Sequence, residues 1–282
     1  MAALIDLHND AITSLTAKRF KKYIKNAEKI GITSVFTSIW TTDMQDPLEL
    51  IKKYKHLLDH MDVGVELLLH IEDAWFVNYD NIDELLAHRP DSIGLTWNMN
   101  NSLAGGANAD GGLTPLGEHF IERLVCDDII VDLAHLNTKS FYQVAEMLRK
   151  HNRPLLCSHT CFDAINTHPR NLDCRQVKTI VASDGLVGLT LVGEFLTTNK
   201  SATMHDVYNH VKYFIDTFGD DNLAIGTDFF GIEKRNLPKG LRRYKDFRRF
   251  RKFLLDQGLD IQTIEKIFWR NANRFLGSYN KI

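Results

Sequence analysis

Nowhere in the 282 residues do about 18 apolar positions follow one another, which argues against a membrane-spanning helix. Charge of one sign is also missing: 34 Lys and Arg stand against 36 Asp and Glu, a formal −2, and nothing in this balance calls for nucleic acid. Only four cysteines occur, Cys126, Cys157, Cys161 and Cys174, with no C-x-x-C pair and no zinc-ribbon spacing. They read as reduced thiols of a cytosolic protein, in buried structural roles. No basic, then apolar, leader opens the chain, so a soluble cytoplasmic protein is expected. Linkers, low-complexity tracts and short repeats are lacking, and one domain over residues 1–282 is expected. No G-x-G-x-x-G follows the first apolar run. The glycine-rich stretch LAGGANADGGLTP fits no phosphate-binding spacing and reads as a loop.

What the chain does contain is an alternation. Short apolar runs at Leu4–Leu7, Thr33–Ile39, Val63–Ile71, Ser92–Thr96, Ile129–Leu133, Pro154–Cys157, Leu186–Leu191 and Leu223–Gly226 read as eight strands. Between them lie helical patterns with start signals. One runs from a Ser14 cap to Gly31, and others follow Asp46-Pro47, Thr114-Pro115 and Asn137. The basic, aromatic segment GLRRYKDFRRFRKF reads as a solvated helix with a buried aromatic face. Eight strand–helix units predict an α/β fold, a closed (β/α)₈ TIM barrel whose site lies at the carboxyl ends of the strands.

Those ends are unusual. Strand one finishes in His8 and Asp10, strand three in Glu72 with His70 behind it, strand five in His135, strand six in His159 and strand eight in Asp228. Three histidines and three carboxylates form a donor set for two divalent metals, Zn²⁺ among them, able to share a water for metal-assisted hydrolysis. Each residue has a plainer reading. His8 and Asp10 could cap a helix, Glu72 could be a surface carboxylate, and His135 and His159 could be packed or solvent-facing. Asp6 reads as a supporting carboxylate. His56, His60, His88, His119 and His151 fall in helical patterns and read as surface residues.

The stretches LIDLHND, LHIED, VDLAHLN, LLCSHT, HPRNLD and LAIGTDF, in this order, resemble the membrane (renal) dipeptidase family of binuclear zinc peptidases. The likeness runs from His8 to the closing IEKIFWRNANRFL. The H-x-D opening and the lack of a lysine in strand four separate it from hydrolases with H-x-H and a carbamylated lysine. The resemblance implies two zinc ions, one on His8 and Asp10, the other on His135 and His159, with Glu72 bridging them. Asp228 would accept and return a proton. Arg170, in HPRN, would take the terminal carboxylate of a dipeptide, its other reading being a loop residue at a helix start. A homodimer is allowed by the same analogy.

Two positions depart from the family. Mammalian members read L-T-H on strand four, where this chain reads Leu95-Thr96-Trp97-Asn98. Oxyanion stabilisation then falls to metal, to Trp97 or to Asn98. Glu194, after strand seven, stands where the pattern is apolar or neutral, either as a rim salt-bridge partner or as a group that recognises a substrate amine. The expected activity is zinc-dependent hydrolysis of small dipeptides, L-Xaa-D-Xaa among them, by a hydroxide shared between the ions. The rivals are hydrolysis of another small amide, lactam or ester, and a metal-holding barrel without turnover.

Overall fold

The computed structural model describes residues 3–281. Its eight strands close into a barrel in sequence order, every neighbouring pair parallel. They are β1 Leu4–Asn9, β2 Ile32–Ile39, β3 Glu66–Ile71, β4 Ser92–Gly94, β5 Ile130–Asp132, β6 Leu156–Thr160, β7 Leu186–Leu189 and β8 Leu223–Ile225. Each overlaps a predicted run, β6 lying two to three residues further on than predicted, and the predicted TIM barrel is the observed fold.

The barrel floor is apolar and includes Ile5, Leu7, Phe36, Leu68, Ile130 and Leu156. Two residues further along their strands come Ser38, His70, Asp132 and Ser158, all buried. Alternation brings each of these to the face its apolar predecessor occupies. The interior therefore changes from hydrocarbon to polar one layer below the strand ends. Two register irregularities add side chains to that polar end. β1 is irregular against β2 between Asp6 and Asn9, and β6 against β7 between Cys157 and Thr160. There consecutive residues, Leu7 with His8 and Ser158 with His159, both reach the interior.

The barrel closes at a weak seam, since β1 and β8 share one ladder position, Asp6 opposite Ile225. The buried Asp6 carboxylate reinforces it. It accepts hydrogen bonds from Thr227 N–H (2.8 Å), Thr227 Oγ1 (2.7 Å) and the Tyr244 hydroxyl (2.6 Å). Beyond it, the Asp228 N–H donates to the His8 carbonyl (3.0 Å), and the Asp10 N–H to the Phe229 carbonyl (2.9 Å). Asp6 is thus the supporting carboxylate the sequence suggested, and what it supports is the register between His8, Asp10 and Asp228.

The helix starts at Asp46, Thr114 and Asn137 carry the predicted caps, each side chain accepting from main-chain N–H groups one turn on. The first helix differs. Ser14 ends a short helical turn, Ala11–Ser14, and the long helix begins after Thr16, spanning Ala17–Glu28. The short turn lets the chain descend from the site before the helix starts. A further helix, Ile82–Ala87, is too brief for a 3.6-residue period to be legible. The basic segment forms the helix Phe247–Asp256, which buries Phe247, Phe250 and Leu254 and leaves Arg248 and Arg249 exposed. Cys157 and Cys161 are buried, whereas Cys126 is exposed, against the expectation, and all four thiols are free. No helix among the described residues is long and apolar enough to cross a membrane.

Candidate metal centre

His8, Asp10, Glu72, His135, His159 and Asp228 converge at the carboxyl end of the barrel, all buried. Glu72 stands at the middle. Its Oε1 lies 3.1 Å from His135 Nε2 and 4.0 Å from His159 Nε2, and its Oε2 lies 3.7 Å from His8 Nε2. Asp10 Oδ2 is 3.4 Å from the same His8 nitrogen. One carboxylate therefore faces two half-sites, His135 with His159 on one oxygen and His8 with Asp10 on the other. Donor atoms of His8, Glu72 and His159, and those of His8, Asp10 and Asp228, form groups that lie within 4.8 Å of one another.

The imidazoles are aimed by groups behind them. Asp132 accepts from Ser158 N–H (2.9 Å) and from the Ser158 hydroxyl. With its proton committed to Asp132, Ser158 Oγ accepts from His159 Nδ1 (2.8 Å), which leaves the His159 Nε2 lone pair free. His135 Nδ1 donates in the same way to Asn98 Oδ1 (2.9 Å). The two free Nε2 atoms then face each other at 2.9 Å. Two imidazole lone pairs at that distance repel unless a cation accepts both.

Charge leads to the same requirement. Both nitrogens of His8 and Oδ2 of Asp10 are buried without a hydrogen-bond partner, the kind of gap that coordination fills. Burial lowers the His8 pKa, but Asp10 and Glu72 more than offset it and hold the ring well above its ordinary value. Burial pushes His135 down to about 4 and, aided by the positive charge of His8, holds His159 well below 6.5. Burial, with the like charges of Asp10 and Glu72, pushes the Asp228 carboxyl up to about 8. The donor set of imidazole nitrogens and carboxylate oxygens suits Zn²⁺ and similar divalent ions, and the residues present fit such a group.

His135 and Asp228 hold left-handed backbone, with φ of 67° and 57°. Such strain costs about 1–3 kcal/mol per residue and persists only where surroundings impose it. For Asp228 the Asp6 seam does so. For His135 it is the glycine-rich loop, where the Ala107 N–H donates to the His135 carbonyl (2.7 Å). A Cβ on Gly106 would lie 2.2 Å from the Trp97 carbonyl oxygen, so only glycine permits this approach. The loop buttresses His135.

A cavity of about 410 Å³ opens over the cluster, its walls including Trp40, Trp97, Asn98, Glu194, Phe195 and Phe230. Trp97 is 41% exposed and stacks at a tilt on Trp40, with ring centroids 5.8 Å apart. Asn98 lines the cavity while its amide oxygen holds His135. Arg170 does not line the cavity. It is 5% exposed, donates from Nη2 to the His159 carbonyl (3.2 Å), and packs 5.5 Å from the centre of the Phe195 ring. Sequence reading missed Asp132 and Ser158 as supports of His159. Their signal was present in D-L-A-H and C-S-H, but only the β5–β6 pairing shows that they meet.

Residues 36–282 match the membrane dipeptidase family, peptidase family M19. His8 and Asp10 precede that stretch. An uncharacterised protein from the pqqA 5′ region of Klebsiella pneumoniae is 29% identical over 229 residues, covering 76% of this chain and 82% of that protein. The dipeptidase aclJ of Aspergillus oryzae is 26% identical over 61% of this chain and 40% of its own length. Among solved structures, a metallo peptidase from Rhodobacter sphaeroides, liganded with a phosphinate mimic of L-Ala-D-Ala, superposes with a TM-score of 0.84 at 20% identity, covering 98% of this chain and 99% of that one. A dipeptidase of family M19 gives 0.82 at 21% identity, with 98% of each chain covered. On the extent of the family match the chain belongs to the membrane dipeptidase family of metal-dependent hydrolases.

Proposed function

We propose that this protein hydrolyses small dipeptides, L-Xaa-D-Xaa among them, with two zinc ions held by His8 and Asp10 on one side, His135 and His159 on the other, and Glu72 between. The observation that carries the reading is the two-sided placement of Glu72, one oxygen toward each half-site. Bound there, a pair of divalent cations polarises an amide carbonyl and lowers the pKa of a shared water. The chain's own groups supply the rest. Asp228, beside His8 and Asp10 and kept ionised by the cations, takes the proton of the attacking water and passes it to the leaving amine nitrogen. Asp132 through Ser158, and Asn98, keep the two imidazoles in one tautomer, so no reorganisation is needed during turnover. Trp97 presents an indole at the cavity wall, where its N–H serves as a donor to the substrate carbonyl. Arg170, behind Phe195 of the cavity wall, supplies the positive charge for the terminal carboxylate. Four free thiols support action in the reducing cytoplasm.

Turnover of an L-Xaa-D-Xaa panel tests this reading. Activity is expected to disappear on exhaustive chelation and to return with two equivalents of Zn²⁺; undiminished hydrolysis after chelation refutes it.

The coverage of Arg170 by Phe195 favours a second reading, a substrate without a free carboxylate, such as another small amide, lactam or ester. Comparing kcat/KM for a dipeptide and its C-terminal amide separates the two. A preference for the free acid that Arg170→Ala removes supports the dipeptide, and indifference supports the alternative.

A further inference from the structure

Glu194 carries a charge that the reaction does not use. It sits on the short helix Gly193–Leu196 after β7, lines the catalytic cavity, and is exposed. None of the ion pairs among the described residues includes it. Of the basic side chains nearby, Arg235 pairs with Glu233, and Lys200, which shares a second cavity with Glu194, forms no ion pair with it. His168 and Arg170 pack on the ring of Phe195, at 4.4 and 5.5 Å between centres.

Its platform is rigid. Asn166 Nδ2 donates to the carbonyls of Glu194 (2.8 Å) and Phe195 (3.1 Å). Asn171 Nδ2 donates to the carbonyls of Phe195 (2.8 Å) and Asn166 (2.7 Å). Both asparagines are buried, so the carboxylate is presented from a fixed backbone at the cavity edge.

The cavity wall holds four carboxylates, Asp10, Glu72, Glu194 and Asp228, and no lysine or arginine. Three of the four belong to the metal and proton machinery. Glu194 is the one left to face a ligand. The wall also carries Trp40, Trp97, Phe195 and Phe230, flat apolar surface suited to a hydrocarbon stem and, through the ring faces, to a cation.

We infer that Glu194 selects substrates with a cationic group beyond the reacting amide, so that dipeptides with a basic side chain are taken in preference to neutral ones of the same length. This rests on the dipeptidase reading above. A partly exposed charge pair contributes up to about 1 kcal/mol, which predicts a preference of roughly two- to fivefold that salt weakens.

The test uses the zinc-loaded full chain and phosphinate mimics of dipeptides, which bind whether or not the protein turns them over. Two pairs are compared by calorimetry, lysine against norleucine at the N-terminal position and the same two at the C-terminal position, with alanine opposite. Norleucine keeps the stem and lacks the ammonium. Expected is a roughly two- to fivefold lower Kd for lysine in one pair, a ratio near one in Glu194→Gln, and a reversed ratio in Glu194→Lys. Equal Kd values in both pairs overturn the inference, as does a preference that survives Glu194→Gln. Tight binding of the mimics without hydrolysis of the matching dipeptides removes the dipeptidase reading and leaves the selectivity measured.

Discussion

Asp132 accepts both the main-chain N–H and the hydroxyl of Ser158, and through that single residue decides which nitrogen of His159 faces the site. Supports of this kind are worth about 10–100-fold in metal affinity. Ser158→Ala and Asp132→Asn are expected to weaken binding of the more loosely held metal by that factor, read by competition with a chromophoric chelator. Nitrogen chemical shifts of the His159 ring in the metal-free protein should show mixed tautomers in the variants and one in the parent. Unchanged affinity together with an unchanged tautomer would remove the role.

Glu72 joins the half-sites, so its loss should affect both. Glu72→Gln keeps the shape and removes the charge. Metal content by elemental analysis is expected to fall from two per chain to one or fewer, and the rise in Tm on adding Zn²⁺ should shrink accordingly, since only binding to the folded state stabilises it. Two tightly held ions in this variant would contradict the bridging geometry.

Asp228→Asn tests proton transfer apart from binding. General acid–base groups contribute about 10²–10⁴ in rate. A kcat reduced by that factor, with metal content and mimic affinity kept within about threefold, is expected. A loss of metal instead would make Asp228 a ligand.

His210, away from the metal centre, is expected to contribute to acid stability. The Phe162 N–H donates to its Nδ1 (3.2 Å), and its Nε2 donates to the Leu196 carbonyl (3.0 Å). Protonating Nδ1 would set it against that N–H, and burial lowers the pKa to about 4 from the ordinary 6.5. The folded value being depressed, stability is full above about pH 6.5 and declines as the pH falls toward 4, because the unfolded chain binds the proton first. At pH 5 the loss is about 2 kcal/mol. His210→Gln can make both hydrogen bonds without titrating. Its urea unfolding free energy should drop between pH 7 and 5 by about 2 kcal/mol less than the parent's. Equal drops would exclude the residue.

The eight strands, most of the helix starts and the donor residues at the strand ends are all legible in the sequence. Their signals are local: an apolar run, a cap with its proline, an H-x-D or a G-T-D at the end of a run. The misplaced start at Ser14 and the unseen helix Ile82–Ala87 lie where one or two turns carry no period.

Relations between strands were not legible. That Glu72 divides its oxygens between two half-sites, that Asp132 steadies His159 through Ser158, and that Asp6 ties Thr227 across a seam of one ladder position are consequences of closing the barrel. So is the burial of Arg170 against Phe195, which sets a residue expected at the cavity wall behind it. Amino-acid types and spacings by themselves determined the barrel and the chemistry of its rim, because strand period and donor identity are properties of short stretches. Tertiary structure alone decided which atoms face one another, because hydrogen bonds and charge pairs act over about 3–4 Å between segments far apart in the chain.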